Sequence, residues 1–500
     1  MRAPSMIRLL VLGLLAPAAA LLASADAQTL LLTLNTPNPQ AYAAFGRSVA
    51  VGDVNGDGKG DIAVSAPWEA VGGNTDQGRA YVFSGADGSL LFTLDTPNPQ
   101  AEARFGRSVA VGDVNGDGKG DIAVSAHYED VGGNAEQGRA YVFSGANGSL
   151  LFTLDTPNPQ TGAFFGQSVA VGDVSGDGKA DVAVGASMER VSDIDRQGRA
   201  YVFSGADGSL LLTLDRPKPQ QFSVFGASVA VGDVSGDGKA DIAVGAYNED
   251  VGTNADQGRA YVFSGADGSL LLTLDTPNPK AVGHFGDSLA VGDVNGDGKG
   301  DIAVGAVGEN VGGNASQGRA YVFSGANGSL LFTLDTPNPQ AWVAFGASVV
   351  VGVVNRPGKA DIAVGAVYED VGGNANQGRA YVFSGADGSL LLTLDTPNPQ
   401  VWGQFGMSLA VGYVNGDGQG DIAIGASGEN VGGNASQGRA YIFSGPAASA
   451  PVGGVAEYLE VAESSGGSSL LSYSALAGFA AAGAVALVVC GWYARRRWLR

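Results

Sequence analysis

The sequence predicts an all-β protein: a seven-bladed β-propeller of 60-residue repeats, closed by its own N-terminal strand and followed by one C-terminal transmembrane helix. Three observations predict it. Phe-Gly pairs begin at Phe45, Phe105, Phe165, Phe225, Phe285, Phe345 and Phe405, always 60 residues apart. Each unit holds four short runs rich in Val, Ile, Leu and aromatics, bounded by Gly, Asn, Asp or Pro. Outside the seven units, one apolar run stands near each end of the chain.

Composition narrows the function classes. The chain has 500 residues, of which 80 are Gly and 20 Pro. The glycines follow no three-residue period, which excludes a collagen-like rod. Acidic residues outnumber basic ones 49 to 28, a formal charge of −21. That balance argues against a nucleic-acid binder, which would present a basic face, and suits a protein that collects cations. Cys490 is the single cysteine, so no intramolecular disulfide forms. His127 and His284 are the only histidines, which excludes a multi-His metal centre and argues against a Cys/His catalytic pair. No Ser/His/Asp constellation is present either, and no enzymatic activity is expected.

Residues 1–27 read as a secretory signal peptide. Arg2 and Arg8 precede the apolar run LLVLGLLAPAAALLA, and small residues suited to cleavage follow at Ala25 and Ala27. The propeller is expected over 28–446. In the second unit its strands are SVAVGD (108–113), DIAVSA (121–126), RAYVFS (139–144) and SLLFTL (149–154), with no helical period between them. The register predicts ring closure. LLLTL (30–34) matches the fourth strand of a unit, whereas the last unit stops after RAYIFS (439–444) without its own. Residues 30–34 should therefore complete the seventh blade beside Tyr441, leaving no long open edge. A linear β-solenoid is the alternative, but it needs capping repeats, and none is visible.

Between the first two strands of each unit lies the sharpest chemical motif. In the first unit it is Asp53, Asn55, Asp57, Lys59 and Asp61, oxygen donors at positions 1, 3, 5, 7 and 9, with position 7 offering its carbonyl. Gly58 allows the sharp turn, and position 12 is Val64 rather than Glu, so this is not an EF-hand. The set recurs as Asp113, Asn115, Asp117, Lys119, Asp121, and as Asp173, Ser175, Asp177, Lys179, Asp181. Two further copies are Asp233, Ser235, Asp237, Lys239, Asp241 and Asp293, Asn295, Asp297, Lys299, Asp301. Such residues also favour ordinary turns. A turn, however, does not need three mutually repelling carboxylates. The expectation is calcium in these five loops, about five ions, with a structural role. In the sixth unit Val353 and Pro357 replace two ligands, leaving Asn355 and Asp361 and predicting no calcium there. The seventh keeps Asn415, Asp417 and Asp421 but has Tyr413 at position 1, which predicts a weak or empty site.

Phe45-Gly46, then DVNGDGKGD (53–61), then IAVSAP (62–67) resemble the FG-GAP repeat of integrin α-subunit propellers. The resemblance recurs seven times, over about 420 of the 500 residues. It implies seven blades, closure of the last blade by an N-terminal strand, and no enzymatic activity in the propeller. No leg domains separate the propeller from the apolar C-terminal run, so the chain resembles the integrin head, and an integrin β-like partner is not expected.

The units differ mainly in two places. One is the tetrapeptide before each Phe-Gly: AYAA, AEAR, TGAF, QFSV, AVGH, AWVA, VWGQ. The other opens the loop between the second and third strands: PWEA, HYED, SMER, YNED, VGEN, VYED, SGEN. In a four-stranded blade both leave from the face opposite the Asp loops. The variable side chains therefore converge on one rim, carrying Tyr42, Trp68, Arg104, Tyr128, Phe164, Tyr247, Trp342, Tyr368 and Trp402. Aromatics with an occasional Arg make good contact residues, and by resemblance integrin propellers bind on this face. Drift in tolerant loops is the competing account. The repeated Glu69, Glu129, Glu189, Glu249, Glu309, Glu369 and Glu429, one per blade, suit a turn or blade contact better than catalysis.

Residues 447–469 read as a short stalk. Residues 470–493 form an uncharged run of 24, long enough to span a bilayer, and 494–500 a basic tail with Arg495, Arg496, Arg497 and Arg500. This places the propeller outside the cell as a single-pass surface protein; Gly466-Gly467 leaves open a processed C-terminal sorting signal. Asn147, Asn314, Asn327 and Asn434 head N-x-S sequons, and Cys490 is expected to be buried and inert. The expected function is calcium-stabilised adhesion or recognition of an extracellular protein or glycan. The alternative is a structural surface or matrix component without a specific ligand.

Overall fold

The computed structural model describes residues 29–355 and 359–446. The expected signal peptide, stalk, membrane helix and tail lie outside them. Among the described residues no helix is long and apolar enough to cross a membrane.

Seven four-stranded antiparallel sheets make up the described chain. Blade 1 comprises Val49–Gly52, Asp61–Ala66, Arg79–Phe83 and Leu90–Leu94 in sequential order. Blade 2 repeats it with Phe105–Gly112, Asp121–Ala126, Arg139–Phe143 and Leu150–Leu154. Blades 3 to 6 follow at the same spacing, their first strands ending at Gly172, Gly232, Gly292 and Gly352. The first strands neighbour one another around a closed ring, including the first strand of blade 1 against that of blade 7. Blade 7 is built from both ends of the described chain: Phe405–Gly412, Asp421–Ala426, Arg439–Phe443 and, outermost, Leu30–Leu34. Thr33 pairs with Tyr441 and Leu34 with Ala440, the closure that the register predicts.

The core is seven apolar layers, one between each pair of adjacent blades. The layer between blades 1 and 2 sets Val54, Ala63, Ala80, Val82 and Leu94 against Phe105, Ile122, Val124, Tyr141 and Phe143. The layer that closes the ring sets Leu34, Ala423, Ala440 and Ile442 against Phe45, Ile62, Val64, Tyr81 and Phe83. Second strands such as DIAVSA are buried at every position, which explains their unbroken small and β-branched composition.

The Phe-Gly pair does more than precede a strand. Expected to lie outside the first strand, Phe105 is instead its first residue, pairing with Ala126 across a register shift. Its ring is fully buried, edge-on to Phe143 at 6.0 Å and tilted on Tyr141 at 6.0 Å. Phe105 also bridges to Gly78 of the preceding blade, where φ is +83° and a Cβ would overlap the Phe105 carbonyl. Phe45 bridges Gly438 in the same way at the ring closure.

Candidate functional site

The Asp loops lie on one face, between first and second strands, and touch one another in sequence. Gly120 N donates to the Asp53 carbonyl at 2.6 Å, Ala180 N to Asp113 at 2.8 Å, and Gly60 N to Tyr413 at 2.7 Å. The loop lysines, expected to offer only carbonyls, also lay their stems over the neighbouring loop: Lys119 covers Gly56 and Lys179 covers Gly116.

Within a loop the carboxylates have different duties. Asp61, the first residue of its strand, is fully buried and accepts Val54 N at 2.9 Å, Asn55 N at 2.9 Å and Gly85 N at 3.0 Å. It thereby ties the loop to the third-to-fourth strand turn. Burial pushes the Asp61, Asp121 and Asp301 carboxyls up, against the pull of these backbone N–H groups. Asp53 accepts Gly56 N at 2.7 Å and Gly58 N at 2.8 Å and shapes the exposed turn. Asp57 accepts only Lys59 N, at 2.8 Å.

Among the described residues no group of three or more His, Cys, Asp or Glu side chains stands ready as a metal cage. The backbone N–H groups hold the carboxylates instead. The donor chemistry still fits a hard cation: carboxylate, amide or hydroxyl, and carbonyl oxygens at alternate positions. One detail strengthens the fit. Ser175 Oγ and Ser235 Oγ, at position 3 of the third and fourth loops, are buried polar atoms without a hydrogen-bond partner. Such atoms are costly unless something binds them. In the seventh loop Asn415 Nδ2 instead reaches Asp417 and Asp421, at 3.0 and 3.1 Å.

The opposite face carries the variable loops. Glu69 is fully buried there and accepts Tyr81 OH at 2.8 Å, Asn38 Nδ2 at 2.9 Å and Arg79 Nη1 at 3.2 Å. Asn38 belongs to the connector arriving from blade 7, so the glutamate pins one blade to the next, as its regularity suggests. Thr36 on the same connector also donates to Glu69, at 3.4 Å, and in blade 4 Arg216 stands at the equivalent position and donates through Nε to Glu249 at 2.7 Å. Burial pushes the Glu69, Glu129, Glu189 and Glu429 carboxyls up despite these partners.

The nine rim residues divide into two sets. Tyr42, Trp342 and Trp402 stand on the outer part, 67%, 67% and 56% exposed. Trp68, Arg104, Tyr128, Phe164, Tyr247 and Tyr368 are half-buried nearer the axis. There Arg104 stacks on Tyr128 at 4.2 Å and on Trp68 at 5.7 Å, and Tyr128 packs on Phe164 at 4.7 Å. The exposed set shares an unexpected backbone. Tyr42, Glu102, Phe222, Val282, Trp342 and Trp402 occupy the second tetrapeptide position with φ of 63°, 63°, 60°, 58°, 65° and 61°. Each N–H is held by the preceding blade, as Trp342 N by Ala315 O at 2.7 Å. This conformation favours glycine, which only blade 3 supplies, as Gly162. Sequence reasoning passed over Phe222 and Val282, both about half exposed.

Sequence reasoning also missed the axis. The residue after each Phe-Gly, in order Arg47, Arg107, Gln167, Ala227, Asp287, Ala347 and Met407, lines a central cavity of about 710 Å³ that opens on the variable face. Its signal was available, because this position varies in a chain whose neighbouring residues barely change. Burial pushes the Arg107 guanidinium down to about 9, with Arg47 adding to the fall, and the Asp287 carboxyl up to about 6.

The FG-GAP repeat family model matches residues 45–83, 105–143, 165–203, 225–263, 285–323 and 405–443. The matched residues omit 345–383, the unit whose loop carries Val353, although it folds as a blade like the others. Integrin alpha-5 of Xenopus laevis is 30% identical over 264 residues, covering 50% of this chain and 24% of its own length. Integrin alpha-4 of the same species is 30% identical over 207 residues, 39% of this chain and 19% of its own. Human integrin alpha-IIb is 39% identical over 164 residues, 29% of this chain and 15% of its own. The chain thus spans no more than about a quarter of the length of these relatives.

Proposed function

We propose that this chain, an FG-GAP repeat propeller similar to integrin alpha chains, works as a calcium-stabilised recognition module at the cell surface, binding an extracellular protein or glycan through its variable rim. The observation that carries the reading is the placement of exposed Tyr42, Phe222, Val282, Trp342 and Trp402 at backbone positions that favour glycine. A bulky side chain at positive φ costs on the order of 1 kcal/mol or more. Gly162 shows that glycine suits this position, so large exposed side chains there carry a cost that contact with a ligand would offset. In this reading the propeller is not an enzyme, and residues 470–493 anchor it to a membrane.

Replacing Trp342 and Trp402 by Gly should separate stability from function. The melting temperature should hold or rise slightly, because glycine relieves the strained backbone. Adhesion of beads coated with the protein to cells or matrix should fall about tenfold or more, since exposed aromatics dominate such contacts. Undiminished adhesion would favour the structural surface component.

The calcium half of the reading has its own test. Asp53, Asn55, Asp57, the Lys59 carbonyl and Asp61, with their counterparts in the next four loops, would hold the ion. Calcium titration calorimetry on the purified chain should saturate near five ions, one for each intact loop. Chelation should lower the melting temperature by roughly 10 °C, because binding to the folded state alone is lost. An unchanged melt and no heat would reduce the loops to ordinary turns.

A further inference from the structure

Blades 1 and 2 load one side of the channel mouth with cations that no ion pair neutralises among the described residues. Arg47 and Arg107 line the central cavity, and with Arg104 they also line an adjoining cavity of about 260 Å³. Among the described residues no carboxylate lies within ion-pair distance of any of the three, although every arginine of the third strands makes such a pair with a glutamate. Arg47 Nε and Arg104 Nε are buried donors without an acceptor. Arg47 does reach the Met407 sulfur, a poor substitute for an oxygen. His127 beside them is buried with Nδ1 unpartnered, and burial and the three arginines hold it neutral. Among the described residues that line the channel the single acid is Asp287 in blade 5, beyond ion-pair distance of the arginines but close enough for its charge to act on Arg47 and Arg107.

Buried donors left unsatisfied are costly, and clustered like charges add to that cost. In a chain of net charge −21, arginine is not placed here by general composition. Guanidinium groups take carboxylates through paired N–H donors. The walls supply the second half of a recognition site. Trp68, Tyr128 and Tyr247 line the smaller cavity, and the central one has the volume of an organic ligand rather than of an inorganic ion.

We propose that the mouth of the central channel, on the side of blades 1 to 4, binds an organic carboxylate, whose acid group is taken by Arg47 and Arg107 and whose body lies against Trp68, Tyr128 and Tyr247. The site goes beyond the rim reading and does not depend on it, because the exposed Tyr42, Trp342 and Trp402 are not part of it. Asp287 opposes the ligand's charge and limits its affinity.

The test is calorimetric titration of the purified chain with phenylacetate, with acetate and sulfate as comparison probes. Phenylacetate should bind saturably, and acetate and sulfate at least about tenfold more weakly. Arg47→Gln and Arg107→Gln should each weaken phenylacetate about tenfold or more, while Asp287→Asn should strengthen it. Both arginine variants remove like-charge repulsion, so their melting temperatures should not fall, which separates lost binding from lost folding. No saturable heat with phenylacetate, or equal affinity in the arginine variants, would overturn the site. Sulfate binding as tightly as phenylacetate would overturn the assignment to an organic acid. Loss of adhesion in the Trp342 and Trp402 variants, with phenylacetate binding unchanged, would leave the rim and the channel as two separate sites.

Discussion

Deleting Leu30–Leu34 should destabilise the propeller by about 5 kcal/mol, an effect comparable with the whole stability of many domains. This strand is the fourth strand of blade 7, and every other described strand already belongs to a blade of its own. Leu34 is buried in the closing layer, with Leu31 and Leu32 packed on it. Full burial of a Leu side chain is worth roughly 1.5–3 kcal/mol, and each ladder hydrogen bond adds about 1 kcal/mol net. Asn35 next to it accepts Arg439 Nε at 2.8 Å, a second tie across the closure. Without the strand, Arg439–Phe443 becomes a bare edge that invites pairing with another chain. A thermal melt and light scattering on the truncated chain should report a lower transition and self-association. A truncated chain that melts like the intact one and stays monomeric would show that the ring does not depend on this closure.

Asp121→Ala should destabilise the protein by about 3 kcal/mol or more even in chelator, whereas Asp117→Asn should weaken calcium binding and leave the chelated protein unchanged. The difference follows from their partners. Asp121 is buried and accepts Val114 N at 2.9 Å, Asn115 N at 3.0 Å and Gly145 N at 2.9 Å. Alanine leaves the buried Val114 and Gly145 N–H groups without acceptors, at about 1–3 kcal/mol each. Asp117 is exposed and accepts only Lys119 N, at 3.0 Å, a bond that asparagine also makes. Urea unfolding in the presence of chelator, then of calcium, checks both. Equal losses in chelator for the two variants would show that position 9 is not the structural anchor. An unchanged calcium affinity in Asp117→Asn would remove position 5 from the ligand set.

The two faces differed in how well they could be read from sequence. The Asp loops were legible because their oxygen donors follow a spacing within nine consecutive residues. That spacing did not reveal that Asp61 is first a backbone anchor, because Gly85 N reaches it from 24 residues away. On the other face, the variable tetrapeptides marked the rim. They did not show that Tyr42 and Trp342 stand out in solvent while Trp68 and Tyr128 turn inward onto Arg104, a division set by packing between blades.

By itself, the sequence determined the number of blades, their four strands, the closure by residues 30–34 and the face on which each loop emerges. These follow from a strict 60-residue period and from strand and turn chemistry, which are local properties of the chain. Only the tertiary structure decided that the residues after each Phe-Gly meet around one axis. Arg47, Arg107 and Asp287 are separated by 60 and 180 residues in the chain, yet they line one cavity. The physical reason is ring closure. Each blade repeats its neighbour's backbone, so single substitutions that read as isolated variation become adjacent charges once seven blades share a centre.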